Sequence, residues 1–97
     1  MSRFSFHRLA RRELDEAARY YEAESPGLGS KYLRAVEDCV RSVVEFSAAG
    51  VVIRDHVRRK LVRGFPYAVL YREVSGRVRI LAIMNLKRRP MYWAGRE

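Results

Sequence analysis

The sequence predicts an α+β fold, with an N-terminal strand and a two-helix hairpin packed on a small antiparallel sheet of three further strands. Three observations predict it. Apolar residues recur at helical spacing between residues 9 and 46. Extended patterns stand on either side, one short alternating run before that stretch and three runs after it. The charge divides along the same line. Residues 1–50 hold eight Lys/Arg against eight Asp/Glu, whereas residues 51–97 hold twelve against three, so the whole surplus of nine sits on the half that reads as sheet. Ninety-seven residues make one domain, 1–97, with a single modest core.

From Arg3 to His7, Phe4 and Phe6 alternate with Arg3, Ser5 and His7, the period of a half-buried strand that leaves His7 on its polar face. From Leu9 to Glu24, Leu14, Ala17, Ala18 and Tyr21 form an apolar stripe, and Glu13, Asp15, Glu16, Arg19 and Glu22 fall largely elsewhere on the wheel. Ser25-Pro26 fits an N-cap followed by proline at the first helical position. The second helix then carries Leu28, Tyr32, Val36, Cys39, Val40, Val43 and Phe46 on one face and ends at Ala48-Ala49-Gly50. Val57 to Val62, Tyr67 to Val74 and Arg77 to Asn85 read as strands, the last two joined through Ser75-Gly76.

In the last strand, simple alternation sends Val78, Ile80, Ala82 and Met84 one way and Leu81 and Ile83 the other, beside Arg77 and Arg79. Both faces are then apolar. The helices can cover only one, so the other must be covered by the C-terminal segment or by a partner protein, and a partner groove is the expectation. A single Cys39 excludes an internal disulfide and suits a reducing, cytoplasmic compartment. Residues 1–10 lack the apolar run of a signal peptide, and no stretch is long and apolar enough to span a bilayer. Neither histidine has cysteines or carboxylates at zinc-ligand spacing, so no metal is expected.

Arg58, Arg59, Lys60 and Arg63, together with Arg88, Arg89 and Arg96, would form a phosphate-attracting patch if strand pairing gathers them, with Tyr92 and Trp93 for stacking. A solvated strand edge is the plainer reading. The helix carboxylates have ready partners in i,i+4 pairs such as Asp15 with Arg19 and Arg12 with Glu16. Cys39, on the apolar face of its helix, reads as core.

The stretch Phe65-Pro66-Tyr67 leading a strand to Tyr71, then Ile80 to Ile83, then Arg88 or Arg89 with Pro90, Tyr92, Trp93 and Arg96, resembles the toxins of the ParE/RelE superfamily of bacterial type II toxin–antitoxin modules. Within it the ParE-like branch is the nearer. Upstream, Glu13-Leu14, Ala17-Ala18 and Tyr20-Tyr21 resemble the family's first helix, and Pro26-Gly27-Leu28-Gly29 its interhelical turn, so the resemblance spans nearly the whole chain. It implies a cytoplasmic toxin without cofactors that arrests growth by inhibiting DNA gyrase and is neutralised in a hetero-oligomer by a ParD-like antitoxin. The working surface it implies is Arg88, Arg89, Tyr92, Trp93 and Arg96, and the sheet groove of Leu81, Ile83, Tyr71 and Arg79 would take the antitoxin. The RelE-like branch implies a rival, a ribosome-dependent endoribonuclease acting on mRNA through Arg88 and Tyr92. Phe65-Pro66-Tyr67 lacks the arginine which that branch tends to place near the start of the strand, for which Arg63 would have to substitute. Asn85 stands near a position where ParE-like chains have a histidine. A non-toxic nucleic-acid-binding module is the third alternative.

Overall fold

The computed structural model describes residues 3–97. The chain runs β1 (Phe4–Phe6), α1 (Arg8–Glu24), α2 (Leu28–Glu45), a 3-10 turn (Ser47–Ala49), β2 (Val51–Arg54), β3 (Val57–Leu61), β4 (Tyr67–Val74) and β5 (Arg77–Asn85). The sheet has the order β1-β5-β4-β3-β2, with β1 parallel to β5 and every other neighbour antiparallel. The α+β architecture is the expected one, but the sheet holds four strands after the helices where three were expected. The missed strand, β2, is Val-Val-Ile-Arg on the sheet edge with every residue exposed. Its β-branched residues favour extension, yet without a buried face it has no period-two signature.

The helix boundaries also differ in their physical origin. His7 leaves the strand and caps α1, its Nδ1 accepting from the Leu9 N–H at 3.0 Å. Ser25 is not an N-cap. It is extended and closes α1, donating its N–H to the Tyr21 carbonyl. The start of α2 is capped from the preceding helix, where Glu22 accepts from the N–H groups of Gly27 and Gly29 at 2.9 and 3.0 Å. Gly27 has φ +87°, and a Cβ on Gly29 would lie 2.6 Å from the Ala18 carbonyl oxygen, so both glycines are needed to fold the hairpin this tightly. Phe46 terminates α2 and is 70% exposed rather than part of its buried face.

Both helices pack on one face of the sheet. There Ala10, Ala17, Tyr32, Val36, Val40 and Val43 meet Val62, Val69, Tyr71, Val78, Ile80 and Ile83. Tyr32 sits among Tyr21, Phe65 and Tyr67 with ring centroids 5.0–6.2 Å apart across the group. Cys39 is buried in the same core, and burial pushes its thiol up to about 11. Tyr71 ties β4 to the turn after α2, donating to the Ser47 carbonyl at 2.7 Å and accepting from the Gly50 N–H at 2.9 Å.

Simple alternation fails in β5. Leu70 pairs with Ala82 and Tyr71 with Ile80, so Leu81 is an extra, bulged residue. The bulge reverses the facing of everything beyond it. Val78, Ile80 and Ile83 therefore face the helices, whereas Ala82 and Met84 join the opposite side.

Candidate functional surface at the C-terminal segment

After β5 the chain turns at Asn85, whose carbonyl accepts from the Arg88 N–H and whose Oδ1 accepts from the Lys87 N–H. The segment then folds back over the sheet face away from the helices. Trp93, only 4% exposed, packs with Ala68, Leu70 and Ala82, and Met84, Met91 and Tyr92 close around them. The two alanines leave room for the indole. Of the two covers that the sequence left open for this face, the C-terminal segment is the one present.

One ion pair fastens that segment. Strand β1 ends at Phe6, and the His7 N–H donates to the Ile80 carbonyl as the last link of that ladder. Beyond it the edge of β5 would carry unpaired backbone groups inside a packed region, which is costly. Glu13 and Arg96 take the place of the missing strand. The carboxylate of Glu13 accepts from the Ile83 N–H at 3.0 Å, and Arg96 donates to the Leu81 carbonyl at 3.0 Å. Between themselves they form a two-point pair, Nη1 to Oε1 and Nη2 to Oε2, both at 3.0 Å, with side chains only 11% and 15% exposed. Glu13 is thus not one of the solvated helix carboxylates. It stands three residues after Ala10 and four before Ala17, the two buried alanines of α1, and that spacing was the signal in the sequence.

The ring of Tyr92 is held between two guanidinium groups, Arg88 at 4.1 Å and Arg96 at 5.1 Å from its centroid. Its hydroxyl is buried beside the Glu13 carboxylate, near enough to interact with it but outside good hydrogen-bond geometry. Burial first, and then the Glu13 charge, push the phenol above its ordinary range. The Arg88 side of the ring faces out, and Arg88 and Arg89 are exposed.

The expected working surface is therefore divided. Arg88, Arg89 and the rim of Tyr92 are on the outside, while Trp93 and Arg96 hold the segment down. The expected antitoxin groove is not open in this chain, since Tyr71, Leu81 and Ile83 are each at most 1% exposed. Tyr71 and Ile83 belong to the helix-side core, and Arg79 alone of that set reaches the surface. The expected basic patch does not assemble either. Arg58 turns toward the helix side and donates to the Gly50 carbonyl at 2.7 Å, Arg59 takes the other face and Arg96 is paired inside. Arg63 is exposed in the β3–β4 turn, at the same end of the sheet as Arg88, where Leu86 donates to the Pro66 carbonyl. Among the described salt bridges, α1 carries Arg11 with Asp15 at 3.8 Å rather than the two expected pairs. No group of three His, Cys, Asp or Glu among the described residues could hold a metal ion, and no described helix is long and apolar enough to cross a membrane.

A groove of about 640 Å³ lies between β1, α1 and α2. Phe4, Phe6, Leu14, Leu33, Val40 and Val44 line it, and Arg3, Arg11, Asp15, Glu37, Arg41 and Glu45 are among its charged residues.

Comparison with protein families matches residues 4–90 to the ParE toxin of type II toxin–antitoxin systems, parDE. Among solved structures, a chain described as the chromosomal ParDE TA system from P. aeruginosa is similar with a TM-score of 0.75 and 19% identity, over 88% of this chain and 96% of that one. At that identity the likeness is one of fold. Comparison with curated proteins found no match.

Proposed function

The chain belongs to the ParE toxin family of type II toxin–antitoxin systems, and from that premise we propose that it acts in the cytoplasm as a binding module that arrests growth by inhibiting DNA gyrase. The observation that carries this reading is the C-terminal segment, which the Glu13–Arg96 pair clamps to the sheet so that Arg88 is held against Tyr92 with its cation outward. A preorganised cationic projection loses little freedom on meeting an acidic target surface. Arg88 and Arg89 are its contact residues, and Trp93 and Arg96 its foundation.

An enzymatic reading needs a group that moves protons near neutral pH. The buried phenol of Tyr92, with its pKa raised, is poorly suited to that task, which weighs against Arg88 and Tyr92 as a ribonuclease pair. Neutralisation is assigned to a ParD-like antitoxin in a hetero-oligomer. With the sheet face closed by the chain's own C-terminal segment, the groove between β1, α1 and α2 is its docking site. An apolar floor with a charged rim suits the apolar stripe of an amphipathic helix.

The test is a supercoiling assay with protein freed of partner, gyrase, ATP and relaxed plasmid. Inhibition that the antitoxin reverses, and that Arg88→Ala abolishes while antitoxin binding persists, is the expected result. Unimpaired supercoiling by protein that still arrests growth overturns the gyrase assignment in favour of mRNA cleavage.

A further inference from the structure

The sheet face away from the helices carries more than the C-terminal cover. Period and register place five arginines on it. Arg72 stands opposite Arg79 across β4 and β5, and both point away from the helix core because Tyr71, Val78 and Ile80 point into it. Arg77 shares the side of Arg79. Arg59 pairs with Leu70, and Arg54 with Val57, two residues of the far-side cluster. The sequence scatters these side chains over four strands. Alternation along β5 already puts Arg77 beside Arg79, but only the register brings Arg54, Arg59 and Arg72 to them.

Such a grouping is unfavourable by itself. Arg72 and Arg79 are directly opposed, with Cβ atoms about 5 Å apart, and like charges in that position destabilise a sheet. Little neutralises them. Asp55 reaches Arg54 at 3.8 Å, and a main-chain oxygen of Glu97 accepts from Arg79 at 3.1 Å. Glu73, opposite Val78, faces the helix side. Arg79 is further held by the Ser5 hydroxyl and the Phe6 carbonyl, but the Nε of Arg72 is buried without an acceptor. Arg59 and Arg77 are exposed.

We propose that this face binds the phosphate backbone of duplex nucleic acid. Every cation on it is arginine, whose planar fork matches phosphate oxygens in pairs, while Lys60 of β3 points to the other side. The exposed rings of Phe4, Tyr20 and Phe46 lie elsewhere, and the Tyr92 ring on this side is already covered by Arg88 and Arg96, so no free ring is offered to single-stranded bases. Neither the 640 Å³ groove nor the smaller hollow lined by Ser47, Val52, Arg58 and Glu73 contains any of the five, and the exposed apolar residues on the same side, Val51, Leu61 and Val74, stand on three different strands. The inference does not depend on gyrase being the target, and its test reads no toxicity.

The experiment is fluorescence anisotropy of a labelled blunt 20-base-pair duplex with the partner-free protein across a salt series. With about four phosphates contacted, the slope of log K on log salt should be between about −3 and −4, a loss of roughly 10²-fold between about 50 and 200 mM. The double variant Arg59→Ala/Arg77→Ala should shrink that slope by about 2 and keep the native Trp93 emission. Arg88→Ala/Arg89→Ala, which removes equal charge from the C-terminal cover beside the arginine row, should leave the slope unchanged. Equal losses in the two double variants would reduce the binding to diffuse charge and overturn the proposal. Displacement by poly-glutamate at matched charge concentration would reassign the face to an acidic polypeptide, and tighter binding of the single strand would remove the duplex.

Discussion

The two faces of the sheet are buried by different means. The helix side is closed by two amphipathic helices whose apolar residues repeat at regular spacing, so many side chains share the work. The far side is closed at one end by a segment without regular structure, centred on Trp93 and pinned by one ion pair. The lesson is one of redundancy. A distributed core stays closed when one polar tie is lost, at some cost, whereas a cover whose polar ties gather at Arg96 and Glu97 is released without them.

The sharpest test of this contrast is Glu13→Ala. It leaves the Arg96 guanidinium and the Ile83 N–H without their partner and should cost about 3 kcal/mol, because removing one member of a buried pair strands the other. Urea unfolding gives the cost, and a red shift of Trp93 emission in the folded protein reports release of the segment. An unchanged spectrum would break the contrast.

Two tyrosines sharpen it on the helix side. Tyr71→Phe removes both hydrogen bonds that tie β4 to the turn after α2 and should cost about 2 kcal/mol, since the Gly50 N–H is left without an acceptor. The equally buried Tyr32 has an unpartnered hydroxyl. Tyr32→Phe should therefore be neutral, or stabilising by up to about 1 kcal/mol. Both substitutions keep the ring, so comparable losses would mean that the Tyr32 hydroxyl is also hydrogen-bonded and would remove the distinction.

The smallest expected effect is at His7. Burial, followed by the charges of Arg96, Arg79 and Arg8 and opposed by Glu13, holds its pKa below 6.5. The unfolded chain therefore takes up the proton first. The stabilisation is complete above pH 6.5 and is lost as pH falls through that value and then through the lower folded pKa. His7→Ser keeps an N-cap acceptor without a titrating group, and should flatten this part of the pH profile of the melting temperature.

Much of this was legible in the chain. The stripe of Leu14, Ala17, Ala18 and Tyr21, the continuous face from Tyr32 to Val43 and the Ser75-Gly76 turn follow from periodicity and turn chemistry, which act between near neighbours. Cys39 was readable as core on the same grounds. Charge position along the chain likewise placed the cationic excess on the sheet half.

The rest was decided by pairings between distant residues, to which local pattern is blind. An unpaired carboxylate on a buried stripe could find Arg96 only once α1 and the C-terminal segment met across 83 residues of sequence separation. The bulge at Leu81 exchanged the faces of Ala82 and Ile83 because register is a property of two strands, not of one. It moved Ile83 out of the expected groove into the helix-side core and set Ala82 under Trp93. The arginine row has the same origin, since alternation gives each strand two sides but only strand order and register decide which sides coincide.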